Sequence, residues 1–335
     1  MIKKIAFFEC MQRNIEFFSE HLKEYELKFF EENLGEKHLE EIADCQIISV
    51  ANYSPVTRQI IQPLENTKLI TCRSTGFDNI DVKACQQKGI LVSNTPGYGD
   101  DTVAEFTFTL MLMLLRHAHQ AFTRARNNNF SWEGLRGNTL KGKTLGIIGT
   151  GKIGLKVIKI AKGFGMDILA YSRREKPELA AELGFTYAPL AEVLSKSQII
   201  SLHIPSTKDT YHFINQNNIR MFKPGSFLIN TSRGEVIDTK ALIWALDEGI
   251  IQKAALDVLE EERIMQENKL LMQPNVIPEQ LEKFSLNQHL LHREDVLITP
   301  HIGFNTEEAF QNMLEINLLN ITSFIQGDPT NIVNR

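Results

Sequence analysis

The sequence predicts an α/β protein of two Rossmann-like parallel-sheet domains. Three observations carry this. Short β-branched runs alternate with helical patterns throughout, which gives parallel sheets covered by helices. Several runs are apolar at every position rather than alternating, as suits strands buried on both faces. A glycine-rich turn joins one such run to a helical pattern. The 335 residues, 43% of them hydrophobic, are enough for two cores at the ordinary domain size of ~100–200 residues.

The predicted strands, in order, are Lys4–Phe8, Gln46–Val50, Leu69–Arg73 and Leu91–Ser93. Then follow Thr144–Ile148, Asp167–Tyr171, Ile199–Ile204, Phe227–Asn230, Ala254–Val258 and Val296–Ile298. One long helix is expected from Thr102 to Arg126. Thr102 and Glu105 form a capping box, in which each side chain satisfies an orphan backbone N–H. Asp100 and Asp101 favour the positive end of the helix dipole, and Asn127-Asn128-Asn129 ends the pattern. Phe106, Phe108, Met111, Met113 and Leu114 put apolar side chains on more than one face. Such a helix is buried, either within its own chain or partly by another subunit. The segment Arg263 to Arg293, with Pro274 and Pro278, is less regular.

Composition excludes several classes. The net charge of −5 comes without a basic block, which argues against nucleic acid, because phosphate contacts need clustered Lys and Arg. Cys10, Cys45, Cys72 and Cys85 form no C-x-x-C pair and no zinc pattern. They read as small hydrophobes in a reducing cytosol, so a cytoplasmic location is expected. His289 and His292 are spaced i,i+3, but no carboxylate or Cys pattern supports a metal site. The N-terminal run Ile5-Ala6-Phe7-Phe8 is too short for a signal peptide, and the longest apolar stretch, Leu110 to Leu115, is too short to span a membrane.

The strongest local signal is Gly149-Thr150-Gly151-Lys152-Ile153-Gly154 after the run Leu145–Ile148. This G-x-G-x-x-G spacing has a physical reason. The first glycine allows the tight turn, the second lets a pyrophosphate approach the backbone, and the third lets helix and strand pack closely. The helix N-terminus then offers free N–H groups and a favourable dipole to the phosphates. An NAD site usually has Asp or Glu after the second strand, gripping the ribose hydroxyls. Here the residues are Ser172-Arg173-Arg174. Hydroxyl and guanidinium groups can bind a 2′-phosphate that a carboxylate would repel. The cofactor is therefore NAD or NADP with a lean to NADP, unless the two arginines are simply a solvated loop.

Three further segments each follow a predicted strand: Asn230-Thr231-Ser232-Arg233-Gly234, Leu256-Asp257-Val258-Leu259-Glu260-Glu261-Glu262, and Thr299-Pro300-His301-Ile302-Gly303. Open α/β sheets bind ligands at the carboxyl ends of their strands. With these, the chain resembles the D-2-hydroxyacid dehydrogenase family over nearly its whole length. The resemblance also runs through Arg73-Ser74-Thr75-Gly76-Phe77-Asp78-Asn79-Ile80-Asp81, Asn94-Thr95-Pro96-Gly97, Val103-Ala104-Glu105, the glycine motif and Ser201-Leu202-His203-Ile204-Pro205.

The resemblance implies the roles. Arg233 would hold a keto acid's carboxylate and carbonyl, His301 would protonate the carbonyl oxygen, and Glu262 would bond the other ring nitrogen, fixing the tautomer and favouring the protonated ring. Asp257 would face the nicotinamide amide, and His203, Pro205, Thr231 and Ser232 would border the cofactor. The N–H groups of Thr75 and Gly76 would cradle the substrate carboxylate. Within the family the chain is most similar to bacterial D-lactate dehydrogenases. Tyr53, Tyr98 and Phe304 match aromatic residues of their substrate pocket, and the long Arg263–Arg293 segment is also similar. Aromatic walls favour a short apolar side chain such as that of pyruvate. Ser172 departs from the Asp usual there.

The resemblance assigns 1–99 to a substrate domain, 100–302 to the cofactor domain and 303–335 to a return into the first. The active site is then expected in the cleft between the two domains, with closure over substrate and a homodimer formed through the long helix. A glyoxylate or hydroxypyruvate reductase is the alternative enzyme. A dinucleotide-sensing interaction protein is the alternative from another class.

Overall fold

The apolar runs form two parallel sheets in a computed structural model that describes residues 2–262 and 278–334. The chain divides into one unit of Met1–Gly99 with Asn305–Arg335 and a second of Asp100–Phe304.

In the first unit the strands are β1 (Lys4–Phe7), β2 (Glu26–Phe29), β3 (Ile47–Val50), β4 (Leu69–Cys72) and β5 (Leu91–Ser93), in the order β2-β1-β3-β4-β5. Strands β3 and β4 are buried at every position. The C-terminal helix Glu307–Ile325 is tied to this sheet by polar side chains. The buried Asn317 amide donates to Thr71 Oγ1 at 2.9 Å, and its oxygen accepts from Ser49 Oγ at 3.1 Å. Asn320 donates to the Asn94 carbonyl at 2.7 Å.

The second unit holds β6 (Thr144–Ile148), β7 (Asp167–Tyr171), β8 (Thr186–Tyr187), β9 (Ile199–Leu202), β10 (Ser226–Asn230), β11 (Ile251–Leu256) and β12 (Val296–Ile298). Their order is β12-β11-β10-β9-β6-β7-β8, and the pairs are parallel. The apolar runs are continuous because alternate residues enter different cores. Leu145, Ile147, Phe227, Ile229 and Ala255 face one cluster, which contains Phe108, Met111, Val157 and Ile158. Ile148, Ile200, Leu202, Leu228 and Leu256 face the other, with Leu242 and Ala245. The chain starts at β6 and winds outward both ways, so strand order reverses between β6 and β9, where a doubly wound sheet opens its ligand crevice.

The expected single helix is instead two, Asp100–Leu115 and Ala118–Arg126. His117 between them is left-handed at φ 51. The cause is a crossing segment: Asn138 N–H bonds the Leu115 carbonyl at 2.9 Å. A β-carbon at Gly137 would lie 2.3 Å from that same oxygen. The helix also begins at Asp100, so Thr102 lies inside the first turn and is not its cap. Its acidic start holds, with Asp101 bonded to Lys156 at 2.6 Å. Ala104, Phe108, Leu110, Met111, Leu114 and Leu115 are buried within this unit, whereas 118–126 buries no residue. Two strands were not expected, β2 and β8. Both are sheet edges, and the Glu26–Phe29 strand pairs on one side only. Of the irregular Arg263–Arg293 segment, 263–277 lies outside the described residues, and Pro278–Leu291 is a helix. Among the described residues no helix is long and apolar enough to cross a membrane.

Candidate active site

The register of the second sheet brings the expected residues to one edge. Its last paired row runs Tyr171, Ile148, Leu202, Asn230, Leu256, Ile298. The next residues along each strand are Ser172, Gly149, His203, Thr231, Asp257 and Thr299. Parallel strands put all six at the same end.

The glycine turn divides its labour as the motif requires. Gly149 has φ 102, and a β-carbon there would stand 2.5 Å from the His203 carbonyl oxygen. A β-carbon at Gly154 would stand 2.1 Å from the Gly149 oxygen. At Gly151 it would meet nothing within 4 Å. Gly151 is also the N-cap of Lys152–Gly163, so the open space lies where free N–H groups point. These residues fit a dinucleotide pyrophosphate. Lys152 is exposed, and Ile153 is half-buried against the core. Thr150 is buried, its hydroxyl 2.8 Å from Tyr187 Oη. Ser172 is half-buried and Arg173 and Arg174 are exposed. Arg173 pairs with Asp209 at 3.3 Å. His203 has Ser201 Oγ 2.9 Å from its Nε2. Removal from water pushes its imidazole down to about 3, so the ring is neutral. Pro205 is exposed.

After β10 the chain is clamped by Asn230, which is wholly buried. Its amide donates to the Arg233 carbonyl at 2.8 Å, and its oxygen accepts from Ser232 N–H at 3.0 Å and Ser232 Oγ at 2.7 Å. Thr231 is fixed by a 2.8 Å bond with Thr107. Arg233 is half-buried. Gly234 beside it packs against the segment leaving β11, where a β-carbon would come within 2.0 Å of the Leu259 carbonyl carbon.

That segment supplies Asp257 and Glu262. Asp257 is 2% exposed and accepts from Thr299 Oγ1 at 2.6 Å, Ile302 N–H at 3.0 Å and Gly303 N–H at 2.8 Å. Burial pushes its carboxyl up, and these bonds oppose that shift. It thereby ties down the turn that carries His301, a non-glycine residue at φ 54. His301 Nδ1 lies 2.5 Å from Glu262 Oε1, across 39 positions of sequence. Their side chains are 18% and 22% exposed, so the pair is sheltered but reachable. Phe304 packs edge-on to the His301 ring at 6.0 Å. An arginine, and an imidazole oriented by a carboxylate, can bind a carboxylate and move a proton to an oxygen.

Comparisons with known proteins identify the family. The family model described as "D-isomer specific 2-hydroxyacid dehydrogenase, NAD binding domain" matches residues 108–303. A glyoxylate reductase of Thermococcus litoralis is 38% identical over 305 residues, covering 89% of this chain and 86% of the relative. The D-lactate dehydrogenase of Escherichia coli is 37% identical, covering 91% of each. The solved D-lactate dehydrogenase of Aquifex aeolicus, complexed with NAD and lactic acid, superposes with TM-score 0.91 at 34% identity, over 99% of both chains.

The chain belongs to the D-2-hydroxyacid dehydrogenase family.

It is an oxidoreductase with the two parallel-sheet units and the NAD-binding domain of that family. In the dehydrogenase's first unit the expected residues also lie past strand ends. Tyr53 follows β3, Thr75 and Gly76 follow β4, and Tyr98, 9% exposed, lies beyond β5. Thr75 Oγ1 donates to the Thr95 carbonyl at 3.1 Å, and the Asn94 amide to the Thr75 carbonyl at 2.7 Å. Sequence reasoning missed Glu260. Within the acidic run it is 3% exposed, bonded by Lys283 at 2.6 Å, His212 at 2.7 Å and Thr239 at 2.8 Å. Burial pushes its carboxyl up, but the bonds from Lys283, His212 and Thr239 outweigh that and hold it below the usual range. No local signal separated it from its exposed neighbour Glu261.

Proposed function

We propose that this dehydrogenase reduces a small 2-keto acid to the D-2-hydroxy acid, pyruvate ahead of glyoxylate, with His301 as proton donor and NADPH accepted alongside NADH. The observation that carries the reading is the His301–Glu262 pair at 2.5 Å, on the strand edge that also bears Arg233 and the glycine turn.

The cofactor supplies hydride to the carbonyl carbon. The chain's own residues do the rest. Arg233 binds the substrate carboxylate, for which its planar fork is suited. The carbonyl oxygen gains negative charge as the carbon is reduced, and His301 gives it a proton from Nε2. Glu262, bonded to Nδ1, keeps the ring oriented and stabilises its charge before transfer. Asn230 and Gly234 hold Arg233, and Asp257 holds the His301 turn while bordering the nicotinamide. The backbone from Gly149 to Gly154 holds the pyrophosphate, with His203, Pro205, Thr231 and Ser232 beside the cofactor. The half-buried hydroxyl of Ser172, followed by exposed Arg173 and Arg174, supports acceptance of a ribose 2′-phosphate.

Tyr53, Tyr98 and Phe304 are assigned to the pocket wall, and the N–H groups of Thr75 and Gly76 to the substrate carboxylate. A pocket walled by aromatic residues suits pyruvate's methyl, worth ~1–3 kcal/mol over glyoxylate. The D-lactate dehydrogenase relatives support pyruvate, and the glyoxylate reductase relatives support the competing reading. A homodimer belongs to this reading. Phe122, Phe130 and Trp132 are 64%, 81% and 78% exposed, large apolar side chains of the kind a partner covers. Steady-state reduction of pyruvate, glyoxylate and phenylpyruvate, each with NADH and NADPH, tests the assignment. Pyruvate should give the highest kcat/KM, and equal or better use of glyoxylate would overturn it.

A further inference from the structure

Glu9 directly follows Phe8 at the carboxyl end of β1, and its backbone is left-handed, φ 55. A side chain with a β-carbon is strained there unless its surroundings hold it. The buried Arg73 guanidinium does so, bonding the carbonyl oxygens of Phe8 and Glu9 and the Ser49 hydroxyl. So turned, the Glu9 carboxylate reaches the loop after β3. Its Oε1 accepts from Ala51 N–H at 3.1 Å, Ser54 N–H at 2.9 Å and the Ser54 hydroxyl. Its Oε2 accepts from the N–H of Tyr53 itself at 2.9 Å. From the other side Asn79 donates to the carbonyls of Ala51 and Ser54 at 2.9 and 2.8 Å. Bonds to a charged carboxylate are roughly twice as strong as neutral ones. The loop is therefore built around one buried-facing acid that sequence alone marks as an ordinary charge.

We propose that Glu9 is the positioning residue for Tyr53, and through it sets which keto-acid side chains the enzyme accepts. This rests on the reading of Tyr53 as a pocket wall. The chemistry of the two oxygens makes the proposal sharp. In Glu9→Gln one acceptor survives. If it serves Ala51 and Ser54, the new NH2 group faces the Tyr53 N–H, donor against donor. The backbone at Tyr53 must then shift, and the ring loses its fixed place.

The test is the ratio of kcat/KM for phenylpyruvate to that for pyruvate, in wild type, Tyr53→Ala, Glu9→Gln and the double variant. Loss of folded enzyme lowers both values equally, so a merely structural role for Glu9 leaves the ratio unmoved. Tyr53→Ala should raise the ratio by about tenfold or more, the scale of a pocket-wall change. Glu9→Gln should raise it by about three- to tenfold on the same scale, and the double variant should go no further than Tyr53→Ala. If Glu9→Gln does not fold, Glu9→Asp keeps the charge, shortens the reach by one methylene and should raise the ratio likewise. A wild-type ratio in the Glu9 variants while Tyr53→Ala shifts it overturns the proposal alone. An unchanged ratio in Tyr53→Ala overturns the reading of Tyr53 and the proposal with it.

Discussion

Replacing Gly234 by alanine should displace Arg233 and the Leu259–Glu262 stretch without changing any residue of the proposed catalytic set. The added β-carbon would stand 2.0 Å from the Leu259 carbonyl carbon, 2.1 Å from its oxygen and 2.3 Å from Glu260 N. Ordinary contact needs roughly 1 Å or more of extra separation. The obstacle is backbone, and it cannot yield easily. Glu260 is pinned by Lys283, His212 and Thr239 through its carboxylate and by the Asn287 amide through its carbonyl at 2.8 Å. The strain therefore falls on Arg233 and on the Leu259–Glu262 stretch together. Overpacking of this kind costs ~1–3 kcal/mol. For a unit of this size that lowers Tm by roughly 2–12 °C. A misplacement of about 1 Å costs ~10²-fold in rate, so kcat for keto-acid reduction should fall by about that factor. Both are read on purified protein, Tm by calorimetry and kcat by loss of reduced-nicotinamide absorbance. A Gly234→Ala enzyme with wild-type kcat and Tm would show that this close approach does not hold Arg233 in place.

Ser172→Asp should move preference toward NADH, since a carboxylate adds a ribose hydrogen bond and repels a 2′-phosphate. Wild type favouring NADH by ~100-fold, about 2.7 kcal/mol, would contradict the reading of Ser172-Arg173-Arg174. His203 makes stability depend on pH. Its folded value of about 3 lies below the ordinary ~6.5, so below about pH 6.5 the unfolded chain takes up a proton that the folded chain does not. Stability is full above that pH and falls by roughly 1–2 kcal/mol by pH 5. Melting of wild type and His203→Gln across this range should show the acid loss shrinking in the variant, and parallel curves would refute it. In light scattering the protein should run as a dimer, with Trp132→Lys and Phe130→Lys weakening it. A wild-type monomer would remove that surface from the account.

What was legible in the sequence was what short-range chemistry dictates. Leu145 to Gly154 carries strand, turn and helix in ten consecutive residues, and the structure gives the three glycines distinct steric duties. The strand ends carrying Arg233, Asp257 and His301 were visible because each follows an apolar run. What stayed hidden depends on partners far along the chain. The break at His117 is made by Gly137 and Asn138 crossing the Leu115 carbonyl, and no residue between Thr102 and Arg126 announces it. Strands β2 and β8 are edges with little apolar pattern of their own. Glu9 and Glu260 went unmarked because carboxylate partners such as Ser54 and His212 lie 45 and 48 positions away.

The central claim is that His301, oriented by Glu262, gives the proton. The direct measurement is kcat for keto-acid reduction in wild type, His301→Gln and Glu262→Gln, with cofactor binding followed separately by fluorescence. His301→Gln should lower kcat by ~10²–10⁴-fold, the usual worth of a general acid. Glu262→Gln should cost less, because the ring remains. Cofactor affinity should stay at the wild-type value in both, since the proposed pyrophosphate site is the turn from Gly149 to Gly154. Near-wild-type turnover in His301→Gln would contradict the account.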